Sequence, residues 1–197
     1  RRSDGAWDRG DEGFTEGANW TYRFCVMQDP EGMIELMGGR EAFMRELDRN
    51  FDEGHYRHDN EPGHHYAYLY NPCGCLYKTQ RRIPGILCDN YKNRPDGLSG
   101  NDDCGQMSAW YLFSSLGFYP LTPASGEYAL GIPRFPEATL DLPNGKRLTV
   151  KAEGLHRTET LTRVLFNGRE LETPFIKVRD ILGGGTLEFL PAKTDKR

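Results

Sequence analysis

A chain of 197 residues with 37% hydrophobic and 12% aromatic content is long enough to bury a core without help from disulfides. Its net charge of −4 and pI near 5.8 argue against a nucleic-acid partner, which would call for a clustered basic face. No apolar run reaches the roughly eighteen residues a membrane span needs, and the start, RRSDGAWDRGDEG, lacks the apolar segment of a signal peptide.

Residues 1 to 13 are charged and glycine-rich, and read as a loop. The segment FTEGANWTYRFCV then places Glu16 and Gly17 at a turn, with Trp20, Phe24 and Met27 following at helical spacing, so a helix is expected from about Ala18. Pro30 ends it and opens a second helix with Asp29 as N-cap and Gly38–Gly39 as its stop. The stretch REAFMRELDRNF reads as an amphipathic helix with Phe43, Met44, Leu47 and Phe51 inward.

The loop EGHYRHDNEPGHH holds four of the five histidines beside Asp59, Asn60 and Glu61, and an aromatic helix is expected after Pro62. Glu61 and His64 have a Glu-x-x-His spacing that suits a transition metal. The oxygen donors Asn60 and Glu61 suit a hard cation better. The five cysteines (Cys25, Cys73, Cys75, Cys88, Cys104) match no standard zinc spacing and read as reduced structural residues. CGCLYKTQRRIPGILCDNY is helical, with Pro84 expected to kink or break it.

The turn formers NRPDGLSG deliver the chain to GNDDCGQMSAWYLFSSLGF, in which Asn101, Asp102 and Asp103 precede an apolar helix spanning 106 to 116. An Asp at that place caps a helix. Three acid-bearing turns, at Glu16, Glu61 and Asp103, nevertheless point to a shared pocket. Beyond residue 120 the pattern alternates, with Asn144-Gly145 and Asn167-Gly168 as hairpin signals and TLEFLP as a last strand.

Read together, FTEGANWTYRF, NEPGHHYAYLYN with LYKTQ, PDGLSGNDDCGQMSAWYLFSSLGFYPL, SGEYALGIPRF, LPNGKRLTV and GGTLEF resemble the C-terminal part of glycoside hydrolase family 92, Ca²⁺-dependent exo-α-mannosidases that invert anomeric configuration. The resemblance implies an α+β chain: residues 1–120 as the C-terminal portion of an (α/α)₆ barrel, and 121–197 as an antiparallel β-rich region. An N-terminal β-sandwich and the earlier barrel helices would be missing. Carried over by motif, Glu16 matches the general acid and Asp103 the general base, with Asp102 as a neighbour sharing the task. Asn101 stands where the family often has Asp. Trp20, Glu61, His64, His65, Lys78 and Asn101 would contact the sugar, while Asn60, Glu61 and Asp103 would hold Ca²⁺. The implied substrate is a terminal α-mannoside, α-1,2-linked, of an N-glycan, glycoprotein or mannan, met in the bacterial periplasm, at the cell surface or outside the cell. The rival reading is an inactive fragment or a mannose-binding module whose acidic turns are only caps.

Inversion needs one protonated and one ionised carboxyl group roughly 6.5–9.5 Å apart, so that a water fits between base and anomeric carbon. Glu16 must therefore keep its proton, which calls for burial or a nearby negative charge, and Phe14 and Trp20 are placed to exclude water.

Overall fold

The computed structural model describes residues 13–152 and 162–191, so all but the last residue of the loop expected over residues 1–13 lies outside the described residues. Helices occupy the chain up to Leu116 and strands dominate from Phe118 onward. The first helix is shorter than its aromatic spacing predicts: α1 covers only Asn19–Tyr22. In α2, Pro30–Leu36, the Asp29 carboxylate accepts from the Gly32 N–H at 2.9 Å, the expected cap in front of an N1 proline. Helix α3, Arg40–Asp52, buries Phe43 and Leu47 completely and half-buries Met44 and Phe51.

The aromatic run after Pro62 is not an α-helix. It forms two short 3₁₀ turns, Glu61–Gly63 and Tyr66–Tyr68. Tyr66, Ala67, Tyr68, Leu69 and Tyr70 are all at most 1% exposed, so every side of the segment is core and no amphipathic face exists to favour an α-helix. Helix α4, Leu76–Asn90, runs on through Pro84, which lies on its exposed side. Helix α5, Gln106–Leu116, ends at Gly117 in the left-handed conformation (φ +88°), and a Cβ there would sit 2.6 Å from the Pro133 ring.

Strands β1 (Phe118–Tyr119), β2 (Glu127–Leu130) and β7 (Phe175–Lys177) form an antiparallel sheet in the order β1-β2-β7, with Tyr128 opposite Ile176. A second sheet runs β3-β4-β8-β5-β6. Its members are β3 (Glu137–Asp141), β4 (Arg147–Lys151), β5 (Thr162–Phe166), β6 (Arg169–Glu170) and β8 (Gly185–Pro191). The Asn144-Gly145 and Asn167-Gly168 pairs turn β3 into β4 and β5 into β6. The sheet is mixed rather than wholly antiparallel, because β4 pairs parallel with β8. Short helix α6, Val178–Gly183, leads into β8 from the β7 side and sets that direction.

Two apolar clusters result, one around Phe24, Leu47, Tyr68 and Trp110, the other around Leu148, Val164, Leu187 and Phe189. Phe113 packs against both. Buried Asn71 joins them by hydrogen bonds: its amide donates to the Leu130 and Pro174 carbonyls at 2.8 and 2.9 Å and accepts from the Thr79 hydroxyl at 2.6 Å. The helical half is therefore tied to the first sheet through Asn71.

Candidate active site

Three loops meet over the helical cluster. Asn60 links two of them: its side-chain amide donates to the Glu16 carbonyl at 3.1 Å, while its Oδ1 accepts from the Glu61 N–H at 3.1 Å. The third loop is pressed against the second at Gly100, where an added Cβ would lie 2.2 Å from the Asp59 carbonyl oxygen. Glu16, His55, Arg57, Asn60, Asn101 and Asp103 consequently line one open cleft of about 650 Å³.

Glu61 stands beside this group. Burial first, then the hydrogen bond and like charge of Asp103 and the charge of Glu16, push its carboxyl above the usual range, against the pull of its own backbone N–H. The side chains of residues 16, 61 and 103 thus converge. Glu16 (φ +61°) and Asp103 (φ +45°) are both held in the left-handed region, with Cys104 (φ +57°) following. For a non-glycine residue this costs about 1 kcal/mol or more, strain of a kind that gathers at functional sites.

The two adjacent aspartates divide their work. Asp102 directs both oxygens to Ser108, accepting from its N–H at 2.9 Å and its hydroxyl at 3.0 Å, and so caps the first turn of α5. Asp103 instead lines the cleft and hydrogen-bonds with the Glu61 carboxyl group. Asn101 also reaches the lining.

Other expected contacts fall elsewhere. His65 is 2% exposed and donates from Nε2 to the Phe24 carbonyl at 2.8 Å, and burial lowers its pKa to about 4. His64 is equally buried. Its Nε2 donates to the His58 carbonyl at 3.0 Å and its Nδ1 accepts from the Gln106 amide at 3.2 Å, which commits both ring nitrogens. Neither histidine is brought to the cleft lining, because each is spent on holding backbone. Lys78 forms an ion pair with Asp48, which also accepts from Tyr70 Oη at 2.9 Å, a network on the α3–α4 side. Trp20 is covered: the His55 ring stacks on it at 4.3 Å and 6°, and the Arg23 and Arg49 guanidinium groups lie 4.9 and 5.4 Å from its centroid.

Beneath the cleft His58 is locked neutral. Tyr91 Oη donates to the Met107 carbonyl at 3.1 Å, so it must accept from His58 Nε2 at 2.8 Å, and His58 Nδ1 accepts from Tyr56 Oη at 2.8 Å. Burial and the neighbouring His64 lower its pKa to about 3. Trp110, fully buried, donates from Nε1 to the His64 carbonyl at 2.7 Å. α5 thereby fixes the Glu61 turn as well as the Asp103 turn.

Sequence reasoning missed His55, Arg57 and Asp59 as cleft residues; Arg57 and Asp59 form an ion pair at 2.6 Å. The His55 contact is long-range, and no local pattern announces it.

For a metal, no three His, Cys, Asp or Glu side chains among the described residues gather in ligating geometry. With both His64 nitrogens committed, the Glu-x-x-His option has no donor set. The crowded carboxylates of Glu61 and Asp103, with the amide oxygen of Asn60 beside them, are hard donors whose mutual repulsion a divalent cation would offset, which fits part of an oxygen shell.

The chain is similar to several known proteins. A GH92 α-mannosidase of Bacteroides thetaiotaomicron superposes with a TM-score of 0.84 at 37% identity, over 100% of this chain and 28% of that one. It has also been solved with mannoimidazole. A second mannosidase from that organism, described as inverting, gives 0.82 at 33% identity over 95% of this chain and 29% of its own. A curated protein of Arthroderma benhamiae, called an uncharacterized secreted glycosidase, is 28% identical over 91% of this chain. The chain spans about a quarter of the length of these relatives (24% of the curated one). The catalytic-domain description of glycosyl hydrolase family 92 matches residues 1–191, and the chain belongs to that family.

Proposed function

We propose that this chain supplies the acid, the base and part of the cation site of an inverting, Ca²⁺-dependent exo-α-mannosidase that removes terminal α-mannose, α-1,2-linked, from N-glycans or mannans. It acts as the C-terminal part of an (α/α)₆ barrel within a longer polypeptide, whose earlier helices and β-sandwich complete the cleft. The observation that carries the reading is that Glu16 and Asp103, both on strained backbone, line one cleft, with Glu61 beside it in electrostatic contact with both. Export to the periplasm, the cell surface or the medium follows from the same reading, and the secreted relative supports it.

In the reaction Glu16, as the acid, donates its proton to the departing glycosidic oxygen while the C1–O bond breaks. Asp103 accepts a proton from the water that attacks the opposite face of C1, so β-mannose is released. Both carboxyls then return to their starting states by exchange with solvent. Glu16 is exposed in this chain. The remaining barrel would close over the cleft and cover it. Asn60, Glu61 and Asp103 would hold Ca²⁺, and the bound cation would supply positive charge to the cis 2- and 3-hydroxyls of mannose.

The test is ¹H NMR of α-1,2-mannobiose hydrolysis by the full-length polypeptide. β-Mannose appearing first, loss of turnover on chelation and its return with Ca²⁺ are expected. α-Mannose appearing first, or turnover indifferent to chelation, overturns the inverting or the Ca²⁺ assignment respectively.

A further inference from the structure

Trp20, the ring expected to contact the sugar, is covered on both faces and is not part of the cleft lining. Trp20 has one face under the His55 imidazole at 4.3 Å, and a stacked ring at that distance leaves no room on the same side for guanidinium groups 4.9 and 5.4 Å from the centroid. The two arginines therefore take the opposite face, where Glu46 accepts from both, at 2.7 Å from Arg23 and 3.0 Å from Arg49. Trp20 is sandwiched and does not line the cleft, whereas His55 does.

His55 is held as a wall rather than as a loose loop side chain. Its N–H donates to the Asn50 carbonyl at 3.0 Å, and the amide of the same fully buried Asn50 donates to the Trp20 carbonyl at 3.4 Å, so one residue sets both rings. Its Nε2 meets Glu53 at 3.2 Å, and the side chain keeps 33% exposure. With one face on the indole and one edge on Glu53, the surface left over is the other face.

We propose that His55, backed by Trp20, is the stacking platform for the sugar on the leaving-group side of the cleaved bond. The assignment rests on the mannosidase reading. Trp20 is four residues beyond Glu16, and His55 lines the same cleft as Glu16, so the platform is mounted on the acid's own segment, where the sugar whose oxygen Glu16 would protonate leaves. A pyranose offers an apolar C–H face that an aromatic ring recognises, and a tightly backed ring loses little freedom on binding.

The experiment compares kcat/KM for α-1,2-mannobiose and for α-mannosyl fluoride, which has no leaving sugar, in the full-length polypeptide. His55→Ala lowers the mannobiose-to-fluoride ratio about tenfold, and His55→Phe, which keeps a ring, restores it to within about threefold, with thermal midpoints confirming that both variants fold. An unchanged ratio in His55→Ala overturns the proposal while leaving the hydrolase reading intact. Equal losses on both substrates, or His55→Phe as impaired as His55→Ala, also overturn it. Wild-type protein that turns over neither substrate overturns the mannosidase reading itself.

Discussion

Gly100→Ala tests how the site is assembled. Gly100 has no positive φ, so alanine suits its backbone; the obstacle is that the new Cβ would lie 2.2 Å from the Asp59 carbonyl oxygen and 2.8 Å from its carbon, both backbone atoms that cannot swing aside. A carbon and a carbonyl oxygen approach to about 3.3 Å, so the two loops must part by about 1 Å. Asp103 is three residues from the wedge, and Asn60 and Glu61 directly follow Asp59, so the displacement opens the gap between Asp103, the proposed base, and the Glu61 carboxylate. A misplacement of that size costs about 10²-fold in rate, with about 1–3 kcal/mol of stability lost to overpacking. The matched control is Gly85→Ala, on the exposed side of α4 with nothing within 4 Å of its new Cβ. It leaves turnover unchanged and raises stability by about 0.5–1 kcal/mol. Both are read by kcat/KM on α-1,2-mannobiose with a parallel thermal melt of the full-length polypeptide. Gly100→Ala turning over within about threefold of wild type would refute the argument that loop contact at Gly100 sets the carboxylate geometry.

Three further outcomes follow. His58 and His65, with pKa values lowered to about 3 and about 4, are neutral when folded but take up protons below about 6.5 when unfolded. Their stabilising contribution is therefore complete above pH 6.5 and drains away as pH falls, on the order of 4 kcal/mol by pH 5 for the two, partly offset by the raised Glu61 carboxyl, which acts in the opposite sense. The thermal midpoint falls by about 10 °C from pH 7 to pH 5, and a flat profile would contradict the neutral assignment. Asp102→Ala removes the α5 cap and costs about 1 kcal/mol in a thermal melt, whereas Asp103→Asn abolishes hydrolysis with little loss of stability; the reverse pattern would exchange their roles. Saturating Ca²⁺, at about a hundredfold over its Kd, stabilises the full-length protein by about 2.7 kcal/mol. Glu61→Gln weakens that shift, and an equal shift in Glu61→Gln would remove Glu61 from the cation site.

The sequence carried local chemistry well and long-range pairing poorly. Asp29 before Pro30, the apolar helix from Gln106 to Leu116 and the two Asn-Gly hairpins are each specified by local residues, and each is found. The parallel pairing of β4 with β8 has no such signature, because alternation reports which face a strand buries and not which neighbour it takes. The run Tyr66–Tyr70 misled because aromatic content was read as helical, when burial on all sides leaves periodicity silent. At the site, the acid-bearing turns were legible as motifs. Their division of labour was not: the Asp102–Ser108 cap and the covering of Trp20 by His55 depend on contacts visible only once the chain is folded.

The assignment of acid and base rests most directly on two variants and two substrates in the full-length polypeptide. A fluoride leaving group needs no proton, so Glu16→Gln should lose α-1,2-mannobiose turnover by about 10³-fold while keeping most of its activity on α-mannosyl fluoride. Asp103→Asn, which lacks the group that accepts the proton from water, should lose both. Glu16→Gln that still cleaves mannobiose, or Asp103→Asn that still hydrolyses the fluoride, would contradict the claim that these two side chains work across one cleft.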